Sequence, residues 1–124
     1  VALKSNFVLS KVPEMVAAYE TALREAGLDA SLTCHAGNGL LYAAIPLGDD
    51  LPAKTGAVAA LVERLTGESV KHGGNLVVQR APRAIKEKVS VWGKTRSDAV
   101  VVRRLKEKLD PSGILNPGRY VAGV

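Results

Sequence analysis

The chain is poor in the residues that would make its purpose obvious. Its single cysteine, Cys34, excludes an intramolecular disulfide framework and any cysteine-built zinc cluster, and it fits a reducing compartment. Aromatic residues are scarce, with one Trp, one Phe and three Tyr. That is too few for the stacking platform of a single-strand binder, and no RNP, KH or zinc-finger pattern is present, so no nucleic-acid partner is expected. Long apolar runs are missing as well: Leu40–Ile45 spans six residues, against about 20 for a membrane span. Nothing near Val1 resembles a secretory signal, so the expectation is a cytoplasmic protein with no membrane span. The first residue is Val rather than Met, as in a piece of a longer polypeptide. G-x-S-x-G, H-E-x-x-H, P-loop and G-x-G-x-x-G patterns are all absent, which leaves no self-contained catalytic machine in view.

What is present is the material of one domain, residues 1–124. Hydrophobic residues make up 47% of the chain and charged ones 23%, and a chain of this size buries about two thirds of its surface on folding. The net charge of +5 is unevenly placed: Arg80–Lys108 holds ten basic and three acidic side chains, a surplus of +7, so the remainder carries −2. Such a segment attracts anionic partners, unless it is simply a solvated face.

Periodicity orders the elements. Leu3–Leu9 partly alternates and reads as a strand. Ser10 is placed to cap a helix over 11–26, with Pro13 in its first turn, Val12, Met15, Val16, Tyr19, Leu23 and Ala26 on one face, and Gly27 as its stop. Leu28–Ala36 alternates again, with Cys34 on the apolar side and His35 on the polar one. Gly37-Asn38-Gly39 turns the chain into the apolar strand Leu40–Ile45. Asp49 or Asp50 caps a second helix, whose apolar set Val58, Leu61, Val62 and Leu65 runs toward Gly67. Asn75–Ala81 is a fourth strand, stopped by Pro82. Ser97 caps a third helix carrying Val101, Leu105 and Leu109, which Asp110-Pro111 ends. The order β-α-β-β-α-β predicts an α+β, ferredoxin-like split βαβ: a four-stranded antiparallel sheet with helices on one face, then a C-terminal helix and an irregular tail. One face of that sheet must meet solvent or a partner.

Two constellations exceed background, His35-Ala36-Gly37-Asn38-Gly39 and Asn116-Pro117-Gly118, although each is a turn when read alone. His35 and His72 alone read as turn histidines, and two imidazoles are too few for a typical catalytic zinc site. Cys34 is expected to pack inward as a small apolar group.

The closing stretch from Leu105 to Tyr120, with Leu109-Asp110-Pro111-Ser112-Gly113-Ile114-Leu115-Asn116-Pro117-Gly118-Arg119 at its centre, resembles the end of FAD-linked oxidases of the vanillyl-alcohol-oxidase type. The hairpin is similar to a His-x-Gly-Asp-Gly-Asn-x-His motif that bears metal-binding histidines in catalytic 2-hydroxyacid members. Here His35, Gly37 and Gly39 match, while Asn38 replaces the Asp, Leu40 the Asn and Tyr42 the second His. Lys71-His72-Gly73 is similar to a later Glu-His-Gly, with Lys in place of Glu. The resemblance therefore implies a degraded metal site, with no metal and no catalytic residue assigned. Gly73–Pro82 and Val91-Trp92-Gly93 resemble flavin subunits of the glycolate-oxidase type.

By this resemblance the chain is a C-terminal cap domain over FAD, with the cofactor held mainly by an N-terminal FAD-binding domain. His35, Asn38, Arg80 and Asn116 are the residues implied to face the cofactor. The implied partners are that N-terminal domain, other subunits of a glycolate-oxidase-type assembly and a small 2-hydroxy acid, and the separate fragment is expected to be inactive. The alternative is a stand-alone ferredoxin-like module that binds an anionic ligand or a regulatory protein.

Overall fold

A computed structural model describes residues 1–124 apart from Asp49, Arg96, Val124 and the side chain of Ala122. It divides into two units, Val1–Lys94 and Thr95–Val124. The first contains β1 (Ala2–Asn6), α1 (Val12–Glu25), β2 (Ser31–His35), β3 (Leu40–Ala44), α2 (Leu51–Lys71), β4 (Asn75–Arg80) and a short α3 (Arg83–Lys86). The sheet runs β2-β3-β1-β4, with every neighbouring pair antiparallel. β1 and β2 are therefore parallel with β3 inserted between them, which is the split βαβ arrangement expected from the sequence.

Period-two alternation gives the sheet two unlike faces. Leu3 and Ser5, Leu41 and Ala43, and Leu76 and Val78 are buried in the core with Met15, Tyr19 and Leu23 of α1 and Val58, Leu61, Val62 and Leu65 of α2. The intervening residues form the opposite, open face. Three hydroxyl groups cross the core. Ser69 Oγ reaches the Leu65 carbonyl at 2.8 Å and Ser5 Oγ at 3.0 Å, and Ser5 Oγ lies 2.5 Å from the Tyr19 hydroxyl. A carbonyl can only accept, so Ser69 donates to Leu65, Ser5 to Ser69 and Tyr19 to Ser5. Every proton is used, and the chain ties α1, β1 and α2 together where an unpaired hydroxyl would be costly.

Helix ends follow glycine. Gly27 has φ +63°, and the amides of Gly27 and Leu28 bond to the carbonyls of Arg24 and Leu23, the paired closure of a Schellman motif. α2 does not stop at Gly67: it runs four residues further to Lys71 and closes in the same way, with Gly73 at φ +77° and the Gly73 and Gly74 amides bonded to Val70 and Ser69. The extra turn carries Ser69 into the hydroxyl chain, a tertiary gain that outweighs the poor helix propensity of Gly67.

Other expected boundaries shift for similar reasons. Ser10 lies in a 3₁₀ turn, Leu9–Lys11, and α1 begins at Val12 with no side-chain cap. Asp50 occupies the N-cap of α2 without a side-chain bond, and Asp49 lies outside the described residues. In the hairpin, Ala36–Asn38 forms a 3₁₀ turn and Gly39 alone takes a left-handed φ, +61°. Cys34 is exposed rather than packed inward. It does share the core-facing side of β2 with Leu32, as its pairing with Leu41 requires, but β2 is an edge strand and the helical cover stops short of it.

The second unit holds α4 (Ala99–Leu109) and a turn-rich tail. Its N-cap is Asp98, not Ser97, and no side chain caps it. Asp110 ends the helix and organises the tail, its carboxylate accepting from the amides of Ile114 (3.0 Å) and Leu115 (2.9 Å) and from Lys106 Nζ (2.6 Å).

Candidate functional site

The pairing registers arrange the open face in rows. Thr33, Tyr42, Lys4 and Val77 form the middle row, and His35, Leu40, Asn6 and Asn75 form the next. His35 and Tyr42 are diagonal neighbours, and their rings meet edge to face with centroids 5.6 Å apart and planes inclined by 65°. Lys4 Nζ stands 5.8 Å from the Tyr42 ring centroid, within reach of a cation–π contact. The centre of the face is therefore an aromatic ring flanked by an imidazole and an ammonium, with Leu40 and Val77 as apolar floor. This surface can lie against a flat conjugated ring and offer positive charge to an anion.

The His35 end of the sheet is a fixed corner. The Phe7 amide bonds to the Gly39 carbonyl (3.0 Å), the Val8 amide to the His72 carbonyl (3.1 Å) and the Asn75 amide to Asn6 Oδ1 (3.1 Å). The β2–β3 hairpin and the α2–β4 turn, far apart in sequence, thus both close on the chain leaving β1. Two glycines are required there. A Cβ on Gly39 would lie 2.2 Å from the Phe7 carbonyl oxygen, and one on Gly74 would lie 1.6 Å from that of Asn6. Protein backbone fills both positions, so these turns serve packing and offer no open phosphate cradle.

Asn75 extends the corner outward, its Nδ2 donating to the Trp92 carbonyl (2.9 Å) while its Oδ1 accepts from the Lys94 amide (3.0 Å). The Val78 amide bonds to the Val91 carbonyl (2.8 Å), so the segment after α3 returns along the free edge of β4.

Of the residues implied to face a cofactor, His35 and Asn38 lie together at the hairpin, both exposed. Arg80 is not with them. It pairs with Ala2 at the far end of β4, five residues from Asn75 or roughly 16 Å along the strand. Asn116 belongs to the second unit, where it holds an unusual φ of +48° and its carbonyl accepts from the Arg119 amide (3.2 Å). His72 is mostly buried and faces Glu68, with Nε2 3.7 Å from the carboxylate. Among the described residues no group of three or more His, Cys, Asp or Glu is placed to hold a metal ion. The Asp110 carboxyl is held below its usual range by the hydrogen bond from Lys106, with burial opposing and the Leu115 and Ile114 amides assisting.

Sequence reasoning missed Lys4 and Asn75 as site residues. Alternation did set Lys4 opposite Leu3, but its position at the middle of the face depends on strand order. Among the described residues no helix is long and apolar enough to cross a membrane. The hairpin, the open face and the Asp110–Asn116 tail all fall within residues 5–120 apart from Lys4 and Ala2, and that span matches the family model described as FAD linked oxidases, C-terminal domain, so the chain belongs to that family.

Proposed function

We propose that this domain is the cap of an FAD-dependent 2-hydroxyacid oxidase of the glycolate-oxidase type, most like the FAD-binding subunit of such an assembly, where it covers the flavin and contributes to the joining of subunits. The observation that carries the reading is the open sheet face, an aromatic, imidazole and ammonium cluster on a sheet whose other face is committed to the core. The face fits one side of a flavin ring, with Tyr42, Leu40 and Val77 as its flat apolar part. The glycine turns do not fit the pyrophosphate, because Gly39 and Gly74 are already filled by the backbone of Phe7 and Asn6. FAD is accordingly held mainly by an N-terminal domain.

Flavin, when bound, supplies the two-electron acceptor for oxidising the hydroxyl carbon. This chain supplies the wall. His35 and Asn38 border the ring from the hairpin, and Lys4 offers its ammonium to the carboxylate of a small 2-hydroxy acid. Arg80 adds positive charge at the far end of the same sheet, and Asn116, in the second unit, is the tail residue whose amide the resemblance implies for the cofactor. With Tyr42 and Lys71 standing where the resemblance calls for metal ligands, the cap works without a bound metal.

The test uses the whole flavin subunit. Glycolate should bleach its flavin absorbance, Lys4→Met should raise the glycolate concentration needed by roughly tenfold or more, and an alcohol lacking a carboxylate should bleach it poorly. Equal reduction by the uncharged alcohol, or a Lys4→Met subunit indistinguishable from the parent, overturns the assignment. The separate 124-residue chain should purify colourless, and stoichiometric flavin bound to it would refute the lid reading.

A further inference from the structure

A groove of about 630 Å³ opens between the C-terminal half of α2 and the segment 88–94. None of its lining residues belongs to the open sheet face. Val62, Val70 and Val89 give it an apolar floor, and Lys88 and Lys94 line it from one segment and Lys71 from α2, with one lining carboxylate, Glu63; the Lys71 ammonium is paired with Glu68 at 3.5 Å. Neither Lys88 nor Lys94 forms an ion pair among the described residues. Both come from the basic segment that the sheet face leaves largely unused.

The wall that carries them is anchored from Val91 to Lys94. Val91 is bonded to β4, the Asn75 amide brackets Trp92 and Lys94, and Gly93, at φ +71°, packs so closely that a Cβ would lie 2.2 Å from Asn75 Oδ1. The opposite wall contains Gly67 in mid-helix, where a Cβ would meet nothing within 4 Å. Glycine there is a poorer helix former than Ala, and no close approach requires it. What its missing side chain does is leave the groove open.

From the volume, the valine floor and the excess of ammonium groups we infer that this groove binds a small amphipathic anion, a carboxylate on an aliphatic or aryl body. The space is of small-ligand size, and apolar lining with a few converging polar groups is the ordinary build of such sites. The apolar body lies along Val62, Val70 and Val89, and the carboxylate meets Lys88 and Lys94.

Octanoate is the probe, with octanol as its uncharged control, followed by NMR on the full 124-residue chain through the valine methyl signals. Octanoate should shift the methyls of Val62, Val70 and Val89 saturably, and added salt should weaken it. Lys88→Gln with Lys94→Gln should weaken octanoate roughly tenfold while leaving the response to octanol unchanged. Gly67→Leu fills the groove from a position with free space, so it should abolish binding while the thermal midpoint stays at or above that of the parent. The proposal is overturned if octanol binds as tightly as octanoate, if the Gln pair leaves octanoate affinity unchanged, if the shifts fall on the leucines of α4 instead, or if the valines answer only to an acidic peptide. The Gln pair lies on the surface, so it decides the matter even if Gly67→Leu does not fold.

Discussion

The two units make opposite use of the same sequence pattern. In Val1–Lys94, apolar periodicity becomes burial, so that Met15, Tyr19 and Leu23 on α1 and Val58, Leu61, Val62 and Leu65 on α2 are core residues. In Thr95–Val124, α4 repeats the pattern with Val101, Leu105 and Leu109, yet these stay 58%, 56% and 76% exposed, as do Ile114 at 74% and Leu115 at 58%. An amphipathic pattern states which face needs cover, and it does not supply the cover. The second unit has polar contacts at its helix end, among them the Lys106–Asp110 pair and the two amides on Asp110. The first unit is held by apolar burial and the second by local hydrogen bonds, and exposed apolar residues gathered on one short segment are characteristic of a surface that meets a partner.

The largest expected effect tests that contrast directly. Leu76→Ala, in the core, should lower unfolding free energy by about 2 to 5 kcal/mol, whereas Leu105→Ala should stay within roughly 0.5 kcal/mol. Urea denaturation measures both, and a loss above about 2 kcal/mol for Leu105→Ala would mean that α4 is packed much as α1 is.

Next comes the buried hydroxyl chain. Burial pushes the Tyr19 hydroxyl up to about 12. Unfolded tyrosine titrates near 10, so between pH 10 and about 12 the unfolded chain has released a proton that the folded chain retains. Stability from this group is full below pH 10 and falls by about 1.4 kcal/mol per pH unit across that window. Tyr19→Phe should be less stable at neutral pH by about 1 to 2 kcal/mol, because Ser5 loses its donor, and its alkaline decline should be shallower. Parallel alkaline profiles for parent and variant would show that Tyr19 titrates normally.

Deleting residues 114–124 should move the thermal midpoint of the separate chain by less than about 6 °C, roughly 1 kcal/mol for a domain of this size. The same deletion in a whole flavin subunit should be far more damaging, because the exposed Ile114 and Leu115 suit docking on an FAD-binding domain. A larger drop in the separate chain would place Ile114 and Leu115 in its own core. The smallest effect is a gain: Gly67→Ala should raise stability by about 0.5 to 1 kcal/mol. A loss on calorimetry would mean that the groove wall tolerates no side chain.

Sequence alone decided what depends on near neighbours. The β-α-β-β-α-β order, the stop of α1 at Gly27, the turn at Gly39 and the end of α4 at Asp110 were all legible, because glycine at positive φ, proline and side-chain alternation act within a few residues. The tail motif was legible as a family mark for the same reason, its turns being written in consecutive residues. Tertiary structure decided the rest. Cys34 and Leu41 both alternate toward the core, but β2 is an edge and β3 is central, so one is exposed and the other buried. Gly67 was a plausible helix end until Ser69, two residues later, found Ser5 across the core. Lys4 became a central site residue, and Arg80 a remote one, only when the strand registers were set. Strand order and the closing of the hairpin and the α2–β4 turn on Phe7 and Val8 join residues more than thirty positions apart, and no local propensity encodes pairings over that distance.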